Sequence, residues 1–552
     1  MKFLLIVLCF SFLYCQPGER SYPVSAVDPK NTRDYPGGRG EHQMIIYTPA
    51  FGSSSTSTNQ WGMEATVKQN IVISVGGNNS WIREGEFILS GHGNAKEFLL
   101  RNVKVGMKVH YTDSVVSVSF DQESFRVYAA LRREALENKF TRMQSQFNDS
   151  DRVMLRITLD STKVFSGSAA SIVDSSEYDR ELQILDELEY RMTVSPAVEG
   201  RGVWYTPVEK NSEEISAFVK RISDAGFNML FLETVWQGQT IYPGFITKQK
   251  KEFAGFDPLR SFLDEGKKYG IEIRAVVHTF LAGVSGEGGD TAVAPVYSQH
   301  PEWQIVKRNG ERISKAEPGR LYLNPAHPEV RDFIASVIKE IRTSYPDLSG
   351  IHLADVRYPV SVPLEESADY SETSRKLFRE YTGVDPMDIN PTDHPDKWWQ
   401  WKLWREQIIT NFLKRIRWEN PEVLLSADIF PDIEESQKTM MQNWVEWTAN
   451  GFVNILVPAI HSEQSESIGE SIGKIRPLIG ESIPLYIELM PTVQPTRLQL
   501  LQQIERCREE HSAGIILSSA VNLSDDQLRL LRIGPFRAAA RTPTALTNNT
   551  KR

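Results

Sequence analysis

Between residues 201 and 532 the sequence alternates between short apolar runs and longer segments whose apolar residues recur at helical spacing. The alternation repeats about eight times. Eight parallel strands, each followed by a helix, close a barrel of about this length. Other parallel α/β folds stay open as alternatives, but they need fewer repeats. The sequence therefore predicts an α/β protein with a (β/α)8 TIM barrel at residues 201–535. The predicted strands are 202–206, 228–233, 271–278, 351–356, 423–428, 452–457, 483–488 and 514–518.

The segment 322–359 shows the pattern clearly. Its apolar residues form one helical stripe, which Pro346 ends, and a short strand follows that finishes in polar and aromatic residues. Sites in parallel α/β folds lie where the carboxyl ends of strands give way to loops. We therefore expect functional residues just after residue 354.

The first fifteen residues resemble an export signal. Lys2 precedes an apolar run, 3–14, which is shorter than the ~20 residues of a membrane-spanning helix. We expect a secreted or cell-envelope protein with no transmembrane helix after signal removal. Cys15 is a candidate lipid anchor, although no small residue precedes it, and plain secretion is the favoured alternative. Cys507 alone would then remain, which excludes a disulfide framework.

The rest of the chain is predicted to contain a polar spacer at 16–41, a β-rich domain at 42–122, a helical connector at 123–200 and a polar tail at 536–552. Within the connector, 153–159 is predicted as a strand. His92, flanked by Gly91 and Gly93, is either a ligand-site residue or a structural residue of a tight turn. The second interpretation is favoured for a lone histidine.

Net charge and sequence motifs limit the classes of ligand and partner that the chain is expected to bind. The net charge of -9 argues against nucleic acid as a partner. The glycine-rich stretch 285–290 lacks the lysine of a phosphate-binding loop. We expect no cofactor, and no metal, because the histidines lack a spaced partner motif.

Several segments of the barrel resemble the glycosyl hydrolase-like family 10. They are RGVWYTPVEK at 201–210, FLET at 231–234, GQTIYP at 238–243, FDPL at 256–259, YLNPAHPEVRD at 322–332 and GIHL at 350–353 with RYP at 357–359. The resemblance implies a TIM barrel, an exported bacterial protein and hydrolysis of glycosidic bonds, with cell-wall glycan among the substrates. The β-rich domain resembles one that precedes this barrel in some relatives.

Glycosidic cleavage usually needs two carboxyl groups flanking the bond, one protonated and one ionised. Strand alternation identifies which carboxyls point into the barrel mouth. Glu233, Asp428 and Glu488 fall on the inward face at strand ends and are candidate catalytic residues. Each has an alternative role, pairing with an arginine or capping the next helix.

In the fourth predicted strand, the inward-facing position at the strand end does not carry an acid. His352 and position 354 face inward, and position 354 is Ala. Relatives commonly carry an acid there, whereas in this chain Asp355 follows one residue later. Either a bulge or a strand-end turn brings Asp355 into the mouth, or the role of the acid has moved, or catalysis is lost. Asp355 is kept as a fourth catalytic candidate.

Residues near strand ends are candidates for sugar binding, because rings stack on the apolar faces of sugars and imidazoles bond hydroxyls. The set is Trp204, Trp236, Tyr242, His278, His352, Arg357 and Tyr358. Two functions stay open: an exported hydrolase acting on a polysaccharide such as the glycan strands of peptidoglycan, or a non-catalytic glycan-binding or envelope-structural protein on the same barrel.

Overall fold

The computed structural model describes residues 19–30, 43–162 and 175–543, apart from 53, 60, 61, 287, 288, 291, 364–366, 461, 463, 464 and 492–496. The predicted signal at 1–15, its Cys15 and the last nine residues lie outside this part of the chain. The chain divides into two compact units, Met1–Met192 and Thr193–Arg552. No helix in the described ranges is both long and apolar enough to cross a membrane.

The first unit is built on a single sheet. In spatial order its strands are Arg20–Pro23, Val115–Ser119, Lys108–Tyr111, Ile71–Val75, Met63–Lys68, Glu86–Gly91, Met44–Tyr47 and Ala26–Val27. Neighbours are antiparallel except the last pair. One face packs on the helix Asn94–Asn102 through Phe98 and Leu99, which join a cluster of buried apolar residues.

Three further helices are described in this unit: Gln122–Met143, Asp149–Ser161 and Ser175–Arg191. Two predictions are wrong here. Residues 153–159 are helical rather than a strand, because their apolar positions Leu155 and Leu159 are four apart and bury one helix face. The predicted polar spacer contains two strands, since Tyr22 and Val27 pack against the sheet core.

The second unit contains the predicted barrel. Its strands, called the first to the eighth barrel strand below, are Gly200–Tyr205, Met229–Trp236, Glu272–His278, Gly350–Ala354, Leu425–Ile429, Ile455–Pro458, Tyr486–Leu489 and Gly514–Ser518. Each is parallel to the next, and the eighth pairs with the first. Between the sixth and seventh, the bridges Leu456 to Leu485 and Ala459 to Glu488 continue the ring. The TIM-barrel prediction is confirmed.

Helices surround the strands. The main ones are Ser212–Asp224, Pro258–Tyr269, Pro328–Ser344, Glu372–Thr382, Pro395–Glu419, Trp444–Ala449, Ser465–Ile479, Arg497–Glu509 and Asp525–Ile533. The predicted helix 438–450 is interrupted, because a π-helical turn, Ser436–Met440, ends at Met441 in a left-handed conformation. A hairpin of Leu281–Val284 and Arg320–Tyr322 follows the third barrel strand.

Side chains alternate between two layers as predicted. Ile351, Leu353, Leu485 and Ile487 join the large cluster between strands and helices. Met229, Phe231, Ala354 and Tyr486 fill the barrel interior. The alternation places Glu233 and Glu488 on the inward face, at the carboxyl ends of the second and seventh strands.

The predicted polar tail is partly wrong. Phe536 is buried, packs edge-on against Phe227, and lies under the Arg201 guanidinium at 4.8 Å. Arg541 pairs with Val198 in a short bridge before the first barrel strand. Residues 536–543 therefore belong to the barrel unit, and one buried aromatic residue is the physical reason.

Candidate active site

A histidine links two carboxylates at the barrel mouth. His278, the last residue of the third strand, donates from Nε2 to Glu233 Oε1 at 3.0 Å and from Nδ1 to Asp355 Oδ2 at 2.8 Å. A neutral imidazole can donate from only one nitrogen, so this arrangement requires the protonated ring. Burial opposes that charge, but the bonds to Asp355 and Glu233 outweigh it and raise the pKa of His278 to about 9.

Asp355 reaches the site through a turn. Its φ of +55° is in the left-handed region, which aspartate tolerates better than most residues. The chain turns directly after the inward-facing Ala354, and the next side chain enters the mouth. Of the alternatives considered for this strand, the strand-end turn is the one that occurs.

The two carboxylates on His278 are held ionised. Burial alone would raise the pKa of Asp355, but the hydrogen bond and charge of His278, with Arg357 and Arg320, bring it below its usual value. For Glu233, burial is likewise outweighed by His278 and by a hydrogen bond from Thr206, so its pKa is also lowered. The Glu233, His278 and Asp355 triad therefore carries two anions and one cation, with Arg320 and Arg357 close to Asp355.

Asp428 is in the opposite electrostatic situation. It lies in the fifth strand, and the backbone N–H of Asp355 donates to its Oδ1 at 2.9 Å. Burial first, then the negative charge of Asp355, raise the pKa of Asp428 to about 7. Asp428 and Asp355 are therefore adjacent carboxyl groups whose environments move their pKa values in opposite directions.

Glu488 completes the predicted set. It lies in the seventh strand, where burial raises its pKa, the hydrogen bond from Ser518 of the eighth strand lowers it, and the charge of Asp355 raises it again. The net effect is a raised pKa of Glu488, in the same direction as that of Asp428. The structure thus brings together all four carboxyl groups proposed from the sequence.

A loop supplies charged residues that the sequence argument missed. Arg357 Nη2 donates to Glu317 Oε1 at 2.6 Å, and Arg357 lies 3.8 Å and Arg320 3.6 Å from Asp355 Oδ1. Val360 N–H also donates to Glu317. Glu317 and Arg320 lie outside the barrel strands, so strand alternation could not locate them. The sequence offered only a weak signal for them, the charged residues of the long segment between the third and fourth strands.

Two tryptophans border the acid cluster and both keep part of their surface exposed. The Trp236 ring lies 4.3 Å from the His278 ring, and the Trp204 ring lies 6.2 Å from it. Both come from strand ends, as predicted. They are predicted sugar-binding residues whose rings remain partly accessible.

Three predicted contact residues are buried away from the mouth. His352 is fully buried in the barrel interior, beneath Trp204, where it bonds Ser426, and burial lowers its pKa to about 3. Tyr358 is fully buried in the layer between strands and helices. Tyr242 is buried there too, with its hydroxyl donating to Glu340 at 3.0 Å. These residues were predicted to contact a ligand because they lie near strand ends in the sequence. Their side chains instead pack in the protein interior.

Arg357 is also nearly buried, and its guanidinium acts on Asp355 and Glu317 rather than standing free for a ligand. Among the residues that the structure describes, no group of three or more His, Cys, Asp or Glu side chains is arranged to hold a metal ion. The mouth is therefore a cluster of acids whose charges are set by histidine and arginine.

The model of the glycosyl hydrolase-like 10 family matches residues 199–478. Glycosyl hydrolase DigH of Escherichia coli (strain K12) is 27% identical over 175 residues, which cover 29% of this chain and 36% of that protein. Glycosyl hydrolase YngK of Bacillus subtilis (strain 168) is 23% identical over 180 residues, 30% of this chain and 32% of that protein. In both cases the match spans less than two thirds of the relative's length.

Among solved structures, the catalytic domain of β-amylase from Paenibacillus polymyxa is 14% identical, with a TM-score of 0.43, and covers 61% of this chain and 95% of its own. The family match extends from the first barrel strand to the helix after the sixth, which is half of the chain. The chain belongs to the glycosyl hydrolase-like 10 family.

Proposed function

We propose that the barrel hydrolyses O-glycosidic bonds in a polysaccharide, with Asp428 as the general acid and Asp355 as the carboxylate that attacks the sugar or activates water. The observation that carries the proposal is the pair of adjacent carboxyls with opposite pKa shifts. Glycoside hydrolysis needs one protonated and one ionised carboxyl group beside the bond.

The geometry fits an acid role for Asp428. Its Oδ1 accepts the Asp355 N–H, so in the neutral acid the proton is carried by Oδ2. A pKa of about 7 keeps a large share of the group protonated near neutral pH. Protonation of the leaving oxygen by such a group breaks the C–O bond without releasing an alkoxide.

Asp355 suits the complementary role. Its Oδ2 accepts from His278, while Oδ1 lies near Arg320 and Arg357 at distances too long for direct hydrogen bonds. The hydrogen bond from His278 therefore orients the Asp355 side chain, while its Oδ1 accepts no direct hydrogen bond from the two arginines. If water is the nucleophile, this oxygen accepts its proton; otherwise it bonds the anomeric carbon and water later displaces it.

Glu233 and His278 support this arrangement rather than perform the chemistry. Glu233 accepts from Nε2 of the protonated His278 ring, and Asp355 accepts from Nδ1, so the two carboxylates together fix the orientation of the ring. Glu488, with its raised pKa, is placed to bond a sugar hydroxyl. Trp204 and Trp236 would stack on the sugar.

For the substrate, we propose the glycan strands of peptidoglycan as the first candidate. This rests on the expected export signal at 1–15, which would deliver the protein, secreted or lipid-anchored at Cys15, to the cell envelope. Net charge argues against nucleic acid as a partner. The names of the relatives DigH and YngK, both glycosyl hydrolases, agree with the reaction class.

The alternative, a barrel that binds glycan without cleaving it, was motivated by Ala354. The left-handed turn at Asp355 removes that motive, because an acid does occupy the mouth. The enzymatic function is therefore the one we adopt.

The test is release of reducing ends from purified peptidoglycan glycan strands and from other polysaccharides. We expect turnover by the wild type, and losses of at least about a hundredfold in Asp428→Asn and Asp355→Asn. Asp264→Asn, an exposed aspartate on the helix Pro258–Tyr269, is the matched control and should keep full activity. Equal activity in all variants would refute the site; binding without turnover on every glycan would favour the alternative.

A further inference from the structure

The guanidinium of Arg320 at the barrel mouth has open hydrogen-bond donors. Arg320 begins the strand Arg320–Tyr322 of the hairpin that follows the third barrel strand. Its Nη1 lies 3.6 Å from Asp355 Oδ1 and its Nε lies 3.8 Å from Glu317 Oε1, which are ion-pair distances too long for hydrogen bonds. Across the described ranges no oxygen accepts a hydrogen bond from this guanidinium, and the side chain is 41% exposed. The donors therefore face solvent, which a ligand can displace.

The neighbouring Arg357 shows the contrast. Its Nη1 donates to Glu317 Oε2 at 3.2 Å and to the Tyr358 carbonyl at 3.1 Å, and its Nη2 donates to Glu317 Oε1 at 2.6 Å. Only 10% of its side chain is exposed. Arg357 finds its acceptors within the protein, whereas the acceptor for Arg320 has to come from outside.

The position of Arg320 is fixed before any ligand arrives. Its N–H donates to the Glu317 carbonyl at 3.2 Å, and the residue pairs with Val284 across the hairpin. Gly319, with a φ of +79°, makes the turn into the strand, and its carbonyl accepts from the Ser285 N–H at 2.8 Å. The charges of Asp355 and Glu317 then orient the guanidinium without taking its protons. Little order remains to be imposed on this side chain by binding.

The charges around Arg320 determine what kind of acceptor fits. Asp355 is held ionised, as described above. For Glu317, burial is outweighed by the hydrogen bond and charge of Arg357, so its pKa is also lowered. A ligand anion on the Arg320 guanidinium would lie close to both carboxylates and be repelled. Because a guanidinium can only donate, the fitting partner is an uncharged acceptor, a hydroxyl or amide carbonyl oxygen.

The distance to Asp355 identifies the part of the sugar within reach. In the proposed function Asp355 Oδ1 acts at the anomeric carbon, directly or through water, and Arg320 lies beside that oxygen. The anomeric carbon carries the leaving oxygen, the ring oxygen and C2. The leaving oxygen takes the proton of Asp428. The ring oxygen gains positive charge in the oxocarbenium-like transition state, which an adjacent guanidinium would oppose. The substituent on C2 is the group that remains.

We propose that Arg320 binds the acceptor oxygen on C2 of the sugar whose bond is cleaved, either a hydroxyl or the carbonyl of an acetamido group. The inference rests on the proposed function. Hydrogen bonds at this position of the sugar strengthen in the transition state of glycoside hydrolysis. Arg320 is therefore a specificity-determining residue, which favours sugars with an oxygen-bearing substituent on C2 over 2-deoxy sugars.

The test measures binding of three methyl glycosides to the full-length chain by ligand-observed NMR titration. The sugars are N-acetylglucosamine, glucose and 2-deoxyglucose, which differ only at C2. The wild type should bind the first or the second roughly tenfold more tightly than the third, the effect of one hydrogen bond from a charged donor. The sugar with the larger preference identifies the oxygen that Arg320 binds.

In Arg320→Met this preference should disappear while the Kd of the 2-deoxy glycoside stays unchanged, and Arg320→Lys, which keeps a donor, should retain part of it. A purely structural role would instead weaken all three sugars equally. Arg532→Met, at an exposed arginine of the helix Asp525–Ile533, is the matched control and should keep the wild-type preference.

A C2 preference that survives in Arg320→Met, an equal loss for all three sugars, or no preference or binding in the wild type would each overturn the inference. Turnover of glycan strands is measured in parallel. Turnover with an unchanged kcat/KM in Arg320→Met would overturn the inference and leave the hydrolase standing. An Arg320-dependent preference without turnover on any glycan would count against the hydrolase alone.

Discussion

Replacing His278 by Gln should make the stability of the barrel less dependent on pH. Glutamine retains a hydrogen-bonding side chain but cannot carry the charge that His278 shares between Glu233 and Asp355. All three side chains are at most 11% exposed, so solvent screens this interaction little. The perturbation therefore isolates the protonated imidazole.

The magnitude follows from the pKa shift. A pKa of His278 raised from 6.5 to about 9 corresponds to roughly 3 kcal/mol of folding free energy. Because the folded state holds the proton more tightly, this contribution is complete below pH 6.5 and is lost as pH rises through 9. Between pH 7 and pH 10 the wild type should lose roughly 2.5 kcal/mol that His278→Gln does not lose.

Chemical denaturation at pH 7 and pH 10, followed by tryptophan fluorescence, provides the assay. Ten of the twelve tryptophans lie in residues 193–552, so the signal reports mainly on the barrel. The stability difference between wild type and His278→Gln should shrink as pH rises. The exposed His394→Gln is the control and should track the wild type. A difference that is the same at both pH values would show that the imidazole is not protonated between the two acids.

Three further outcomes are expected. The kcat/KM for glycan cleavage should fall as pH rises above about 7, because Asp428 then loses its proton; initial rates from pH 5 to 9 measure this, and a level profile up to pH 9 would contradict it. Asp355→Asn should lose activity and part of the stability, because it removes one of the two carboxylates that hold the charge of His278. Asp355→Val should lose more stability than Asp355→Asn, because branched residues also resist the left-handed conformation; equal midpoints for the two variants would argue against the turn. Glu317→Ala should destabilise the barrel by ~3 kcal/mol, because it removes the carboxylate that accepts the hydrogen bonds of the nearly buried Arg357; denaturant titration would show this, and a change below ~1 kcal/mol would mean that the ion pair is solvated.

Much of the barrel was predictable because its strands and helices are determined by patterns of neighbouring residues in the sequence. Strand and helix periodicities recur in a fixed order, and alternation along a strand assigned Ala354 to the barrel interior, where it lies. The same alternation selected Glu233 and Glu488. For these residues, position along a strand is enough to determine which way the side chain points.

Other features depend on contacts between distant segments. Periodicity could not foresee that Glu317, in a loop, would bond Arg357 forty residues later. Tyr242 and Tyr358 fall close to strand ends, yet helix packing buries them. Phe536 was assigned to a tail on composition, although one aromatic side chain is enough to anchor it against Phe227. In each case a tertiary partner decides the outcome.

The left-handed turn at Asp355 has a consequence for how activity is inferred from alignments. A comparison by columns that expects an acid at position 354, as the family resemblance implies, would find Ala354 and classify this chain as inactive. The turn brings the side chain of the following residue, Asp355, into the barrel mouth. The acid is therefore shifted by one position in the sequence, while its place in the structure is kept. Under the proposed function, a survey that scores a single column would miscount chains of this type, whereas a search for an acid within reach of the histidine that ends the third strand would retain them.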